Sequence, residues 1–369
     1  MHLHHYSSVA EQFAPYTQVI SVHEFGNGNI NDTYLVTVDI DLPEEKQFVL
    51  QRINTQVFKQ PKLIMQNMRA FTEHMRRRAR DEGHQWEMPR VIPACDGHDF
   101  YMDPEGNFWR AISYVHGARS FETIKDAALA REVGYALGTF QYLISDLPTH
   151  KLADTLEGFH IMPRYLQNFN RAFSQNGFKS NAEVKYCLNF IEQRREFAHV
   201  LENARKQGKL QLRPVHGDPK VNNVMIDEAT GRAISLVDLD TVKPGLIHYD
   251  IGDCMRSGCN PLGEETEQWE AVQFDPEIGA AILEGYLTQA RNFLTVADYD
   301  YLFDSIRLLA LELGVRFFTD YLDGNVYFKI KHPQHNLQRA LVQFKLTESI
   351  EAYEADIRHI IQGMVSPAI

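Results

Sequence analysis

The sequence predicts an α+β chain of two unequal lobes: a small β-rich lobe carrying one helix, then a larger, mostly helical lobe. Three observations carry the prediction. In the first hundred-odd residues, short apolar runs are punctuated by turn residues, the pattern of strands and hairpins. Beyond Val115-His116-Gly117, apolar residues recur at steps of three and four over long stretches, as amphipathic helices require. Within that helical part only residues 224–237 read as β-rich. The division follows: a first lobe over 1–112, a connector over 113–119, and a second lobe over 120–369.

His2, His4 and His5 read as part of a solvated terminus. Val19–Phe25 and Tyr34–Val38 read as strands flanking a glycine turn, Gly26-Asn27-Gly28-Asn29-Ile30-Asn31-Asp32-Thr33. Phe48–Ile53 is a third strand, reached through a polar loop. Lys62–Arg80 is helical by composition, with Ile64, Met68 and Phe71 at helical spacing. Its basic run, Arg76-Arg77-Arg78, suits a solvated face near the negative end of the helix dipole. His98–Met102 and Asn107–Tyr114 form a hairpin about the turn Asp103-Pro104-Glu105-Gly106.

In the second lobe, Leu129, Val133, Ala136, Leu137, Phe140 and Ile144 mark a first helix. A second opens on the capping pattern Ser180-x-x-Glu183 and runs through Val184, Cys187, Leu188, Ile191 and Leu201 to Gly208. A third covers about Ala297 to Leu322, and a fourth about Asn336 to Met364. Val224–Ile226 and Ala233–Val237 make the hairpin between the second and third.

Hydrophobic residues at 44% and charged residues at 23% exclude a disordered chain and permit a large core in 369 residues. No apolar run approaches the roughly 18 residues of a membrane span, and no signal-peptide pattern opens the chain, so a cytoplasmic location without membrane attachment is expected. A net charge of −12 argues against nucleic acid as a partner. A monomer or weak homo-oligomer is expected. Cys95, Cys187, Cys254 and Cys259 have neither CxxC nor zinc-type spacing, which favours reduced, packed thiols. The absence of GxxxxGK[ST] excludes a Walker-type phosphate loop.

The chemistry concentrates in His216-Gly217-Asp218-Pro219-Lys220-Val221-Asn222-Asn223 and in Val237-Asp238-Leu239-Asp240. Phosphoryl transfer uses one aspartate to orient and deprotonate an acceptor hydroxyl. An asparagine five residues on and a strand-end aspartate then hold magnesium. Asp218, Asn223 and Asp238 occur in that order. The hairpin starts just after Asn223 and ends just before Asp238, so both can reach one ion. Lys220 is placed to neutralise charge on the phosphoryl group in flight. Asp240 is open to three readings: a second metal contact, a substrate contact, or no chemical role. His216 and Asp250 are assigned to holding the turn in shape. Gly26-x-Gly28 would let backbone N–H groups approach phosphates closely.

His216-Gly217-Asp218 with Asn223, then Val237-Asp238, then Asp250-Ile251-Gly252-Asp253, resembles the aminoglycoside phosphotransferase and choline kinase superfamily, whose fold is protein-kinase-like. The chain is similar in particular to the N-acetylhexosamine 1-kinases. The likeness lies in Gly26-x-Gly28-x-Ile30-Asn31-x-Thr33-Tyr34, Val49-Leu50-Gln51, Lys220-x-Asn222-Asn223, Asp238-Leu239-Asp240-Thr241 and Pro244-Gly245. It continues through Arg316-Phe317, Asp320-Tyr321-Leu322, Gly324, Tyr327-Phe328 and His335-Asn336-Leu337. The resemblance implies ATP and magnesium, and as acceptor the anomeric hydroxyl of N-acetylglucosamine or N-acetylgalactosamine.

On that reading Asp218 and Lys220 are catalytic, and Asn223 and Asp238 hold the metal. Gly26, Gly28, Gln51, Ser113 and Val115 line the nucleotide site. Asn29, Asp218, Arg316 and Tyr327 meet the sugar. Two positions depart from expectation. Gln51 stands where a kinase strand carries lysine, with Arg52 and Lys220 as alternative sources of the charge. Asn29 stands where the hexosamine kinases have histidine. Glu312 and Arg316, four apart on one helical face, are expected to pair. The alternatives are a kinase for another sugar, an amino alcohol or an aminoglycoside, and a non-catalytic nucleotide- or sugar-binding protein.

Overall fold

The computed structural model describes residues 2–26, 30–175 and 181–365. Strands β1 (Val19–Glu24), β2 (Asp32–Val38), β3 (Gln47–Ile53), β4 (Val91–Ile92), β5 (Tyr101–Met102) and β6 (Phe108–Ser113) form one antiparallel sheet. Its order is β1-β2-β3-β6-β4, with β5 also on β6. Side chains alternate between faces along each strand. Val36, Val38, Phe48, Leu50, Trp109 and Ala111 bury against Val9, Ala10 and Phe13. On the other face Val49, Ile53, Phe108 and Ile112 pack with Ile64, Met68, Phe71 and Met75 of helix α2 (Pro61–Glu82).

The side chains of His2, His4 and His5, expected to be solvated, lie outside the described residues, but the segment that carries them is helical. Residues His2–Glu11 form helix α1, and Val9 and Ala10 near its end are buried on the sheet. Leu3, Tyr6, Ala10 and Phe13 do recur at steps of three and four, a helical spacing that the three histidines mask. With α1 over Trp109 and Ala111 and α2 over Phe108 and Ile112, every residue of β6 is buried.

The larger lobe holds β7 (Ala118–Arg119), α3 (Ala127–Ile144), α4 (Met162–Gln175), α5 (Ala182–Glu192), α6 (Val200–Lys206), β8 (Arg213–Val215), β9 (Val224–Asp227), β10 (Ala233–Leu236) and β11 (Lys243–Gly245). Helices α7 (Ile247–Gly258), α8 (Pro276–Ala290), α9 (Val296–Asp300), α10 (Leu302–Leu322), α11 (His335–Ala352) and α12 (Glu354–Val365) complete it. Strands β9 and β10 form the expected hairpin, extended by β7, and β8 pairs with β11. Among the described residues no helix is long and apolar enough to cross a membrane.

Three predicted helices are each broken. The second is α5, a 3-10 turn (Glu196–His199) and α6. Its start is capped by Asn181, whose Oδ1 accepts from the Val184 N–H at 2.7 Å; Ser180 lies outside the described residues. The third divides at Tyr301, into a short helix that opens on a capping box of Thr295 and Asp298 and a long one from Leu302. The fourth divides at Tyr353. Helices α4, α7 and α8 were not anticipated. In α7 the buried face includes His248, Asp250, Asp253 and Arg256, which hides any apolar stripe.

Cys187, Cys254 and Cys259 are buried and free, whereas Cys95 is exposed, against the expectation of packing. One apolar core runs from α2 through α3, the β9–β10 hairpin and α8, so it joins the two lobes. Asn67 of α2 fastens them further: its Nδ2 donates to the carbonyls of Ala153 (2.9 Å) and Val242 (3.1 Å), and its Oδ1 accepts from the Ala153 N–H (2.8 Å).

Candidate active site

The turn after β8 is shaped by α7. One Asp250 oxygen accepts from the His216 N–H at 2.9 Å, and the other from the Gly217 N–H at 2.8 Å. Gly217 has φ +88°, and a Cβ there would lie 2.8 Å from the Thr241 carbonyl, so only glycine fits. His216 Nδ1 accepts from the Asp218 N–H at 3.2 Å while Nε2 donates to Val237 O at 3.1 Å. That arrangement requires the neutral imidazole, and burial lowers the ring's pKa accordingly.

A second histidine, which the sequence did not single out, holds the same turn from the opposite side. His160 Nε2 donates to the Gly217 carbonyl at 2.6 Å, and Nδ1 meets Glu312 Oε1 at 2.9 Å. Burial opposes its charge, but the Glu312 carboxylate outweighs burial and raises the pKa, so both nitrogens donate. The residue sits at φ +62°, a left-handed conformation held by these two contacts.

Asp218, Lys220, Asn223 and Asp238 come together around the β9–β10 hairpin. Lys220 Nζ lies 3.0 Å from Asp218 Oδ2. Burial would raise the Asp218 pKa, but Lys220, then His216 and Arg256, lower it, so the carboxylate is ionised. Burial likewise opposes the Lys220 charge, and the carboxylates of Asp218, Asp238 and Glu264 overcome it. Asn223 Nδ2 donates to the Asp218 carbonyl at 2.7 Å, which leaves Asn223 Oδ1 without a hydrogen bond among the described residues. The Val237 N–H donates to Asn223 O at 2.9 Å, which fixes the two ends of the hairpin side by side.

Asp238 follows at φ +61°, and its carboxylate makes no hydrogen bond among the described residues. Although open to the cleft, it is hemmed in by protein. Desolvation, then the charges of Asp240 and Asp218, push its pKa up to about 6. A carboxylate under that load, next to an uncommitted amide oxygen, suits a hard divalent cation. Among the described residues no cluster of three or more His, Cys, Asp or Glu is arranged to hold a metal. Asn223 and Asp238 offer two hard oxygen donors, a set that fits magnesium, which takes one or two protein ligands and completes its shell with phosphate and water.

Asp218, Lys220, Asn223 and Asp238, with His160, line one cleft of about 620 Å³ between the sheet and the helices. Gly26, Gln51, Ser113 and Val115 border it on the sheet side, and Arg316 and Tyr327 on the helical side. Gly28 and Asn29 lie outside the described residues. Ser113 Oγ is engaged by the Arg90 N–H at 2.9 Å. Gln51 Nε2 donates to Thr33 Oγ1 at 3.0 Å, and its Oε1 is taken by Arg110.

Arg52 is not the missing charge. As the next residue of β3 it faces away from the cleft, ion-paired with Asp32. Lys220 is committed to Asp218. Glu312 and Arg316 pair as expected, though at 4.0 Å, since Glu312 Oε1 also meets His160 Nδ1 at 2.9 Å. The Arg316 guanidinium sits 5.1 Å from the ring of Phe159, 5.2 Å from Tyr165 and 5.6 Å from Phe328. Asp320 accepts the backbone N–H groups of Val326, Tyr327 and Phe328, which folds the loop that carries Tyr327.

A family model described as the phosphotransferase enzyme family matches residues 21–295, most of the chain and every part of the Asp218 cluster. The chain belongs to this family. Solved structures share its fold. An aminoglycoside phosphotransferase from Alicyclobacillus acidocaldarius subsp. acidocaldarius aligns with TM-score 0.62 at 14% identity, covering 96% of each chain. A microcompartment-associated aminopropanol kinase aligns at 0.59 and 17%, covering 95% of this chain and 98% of that one. Choline kinase from Cryptosporidium parvum Iowa II aligns at 0.59 and 14%, covering 95% and 92%. The phosphotransferase thus has the bilobal, kinase-like α+β fold, with an antiparallel sheet in one lobe and helices in the other.

Proposed function

We propose that this phosphotransferase is an ATP- and magnesium-dependent kinase for a small hydroxyl acceptor, and that the acceptor is the anomeric hydroxyl of an N-acetylhexosamine. The family match ends at residue 295, so it does not reach Arg316, Tyr327 or Phe328 at the acceptor end of the cleft. One observation there favours a sugar over an amino alcohol or aminoglycoside. A cationic acceptor calls for an aromatic cage or an acidic wall. Here the rings of Phe159, Tyr165 and Phe328 surround the chain's own cation, Arg316. An incoming ammonium would meet like charge, while a neutral hydroxyl- and amide-bearing ring finds a donor. The choice of N-acetylglucosamine or N-acetylgalactosamine rests on the motif likeness from Arg316 to Leu337.

In this reading Asp218 accepts the acceptor hydroxyl proton as the new O–P bond forms and the bond to the departing ADP breaks. A lowered pKa makes Asp218 an orienting group first and a modest base second. Lys220 balances charge beside it. Asn223 and Asp238 would hold magnesium, which when bound would supply positive charge to neutralise the nucleotide phosphates. Gly26, Gln51, Ser113 and Val115 border the nucleotide, residues 1–112 forming its lobe and 113–119 the connector.

The test is incubation with Mg-ATP and each N-acetylhexosamine, with phosphorus NMR for sugar 1-phosphate. Choline, aminopropanol and kanamycin form the comparison set. Product from the hexosamines and none from the amines is expected. Amine phosphorylation without any sugar 1-phosphate would overturn the assignment of acceptor.

A further inference from the structure

The positive charge absent from Gln51 is present one strand away. Gln51 of β3 lies opposite Arg110 of β6, so both side chains emerge on one face of the sheet. Arg110 is 1% exposed yet borders the cleft. Its Nε and Nη2 both donate to Gln51 Oε1, at 2.9 and 2.7 Å, and its Nη1 is ion-paired with Asp240 Oδ1. The other Asp240 oxygen accepts from Asn31 Nδ2 at 2.6 Å. One hydrogen bond, from Asn31, and one ion pair, with Arg110, therefore tie the small lobe to one carboxylate of the loop that carries Asp238. Helix α2, packed behind, offers Arg110 no acid at the point of contact, only Met68 Sδ at 4.0 Å from Nη1.

The grip accounts for two features. Asp240 is 2% exposed and committed to the sheet, so it is not a free metal ligand. Asp238, two residues earlier, holds a left-handed backbone that survives only where its surroundings over-determine it. The anchored Asp240 supplies that constraint.

We propose that Arg110 is a positioning residue for phosphoryl transfer: through Asp240 it fixes the Asp238 loop against the sheet and sets the affinity for the magnesium-bound nucleotide. The inference rests on the kinase reading above. Arg110→Met, Arg110→Lys, Asp240→Asn and the double variant Arg110→Met/Asp240→Asn are compared with wild type. Three quantities are measured: calorimetric Mg·ADP affinity, KM for each substrate with kcat, and the ligand-free melting temperature.

Arg110→Met and Asp240→Asn each weaken Mg·ADP binding by about tenfold or more, with acceptor KM within about twofold, a split that general loosening of the fold does not produce. Arg110→Lys recovers part of the loss. The double variant loses no more than the worse single one, because the two charges act as a unit. Wild-type Mg·ADP affinity in a folded Arg110→Met, or strictly additive losses, overturns the proposal. If Arg110→Met does not fold, the double variant, which buries no lone charge, carries the test, and wild-type affinity there overturns it. A wild type that neither binds Mg·ADP nor releases ADP ends the kinase reading itself. An active wild type with an unaffected Arg110→Met ends this inference alone.

Discussion

Asp218 is the residue on which the proposed chemistry turns, and it is ionised because Lys220, its ion-pair partner, with Arg256 beyond, outweighs its burial. Asp218→Ala should lower turnover by about 10²–10⁴, the worth of a positioned base, while Mg·ADP affinity stays near wild type. ADP release and calorimetry measure the two, and unchanged turnover would remove Asp218 from its role. Asp218, Asn223 and Asp238 were legible because their spacing is local and the hairpin between them is short. Arg110 was not: its tie to Gln51 spans 59 residues and depends on strand register, which sequence alone does not specify.

His160 was hidden for the same reason, since its partner Glu312 lies 152 residues away. Its raised pKa gives a pH signature. The native state holds the His160 proton more tightly than the unfolded chain. Its contribution is therefore complete below the unfolded value of about 6.5 and is lost as pH rises through the higher folded value. His216 and His248, both lowered by burial, act oppositely: their contribution is present above about 6.5 and is lost as pH falls toward their depressed values. His160→Asn, which tolerates the left-handed backbone, should flatten the decline of melting temperature on the alkaline side and leave the acid side alone. An alkaline limb of unchanged slope would count against the charged pair.

At the scale of elements, the tightest contact is α3 against α8. A Cβ on Gly134 would lie 1.9 Å from the Ile282 carbonyl oxygen, and one on Gly285 1.9 Å from that of Arg131. No rotamer relieves a clash with backbone, so the helices must separate to admit one methyl group. Gly285→Ala should cost about 1–3 kcal/mol or more, seen as an earlier denaturant midpoint. Gly363→Ala in α12 meets nothing within 4 Å and should instead gain about 0.5–1 kcal/mol from helix propensity. If the two shift alike, close packing is not what the α3 and α8 glycines serve. The periodicity of α3 was plain in the sequence, as were β1 to β3 and α2. Helix α8 was missed because its exposed polar face is sparse, only Glu277, Glu284 and Thr288, and two glycines stand on its buried side. The breaks at Tyr301 and Tyr353 were missed because apolar spacing continues across them.

For the whole molecule, two lobes were legible, but the means of joining them was not. Asn67, read only as one position of a predicted helix, ties α2 to both Ala153 and Val242, the latter two residues beyond Asp240. With the shared core, this makes the lobes one folding unit. The three tryptophans report on different places: Trp109 is buried on the α1 face of the sheet, Trp86 lies in the shared core, and Trp269 packs between the helical clusters. Tryptophan fluorescence and far-UV circular dichroism should therefore trace one coincident unfolding transition in urea. Asn67→Ala strands two carbonyls and an N–H in the interior, at about 1–3 kcal/mol for each group left unpaired. It should move the midpoint earlier and pull the two traces apart, as the sheet lobe loses its hold on the helices. Separate transitions already in the wild type would mean that the apolar core at the α2–α3 contact is too thin to couple the lobes, and that Asn31, Asn67 and Arg110 only register one independent body against another.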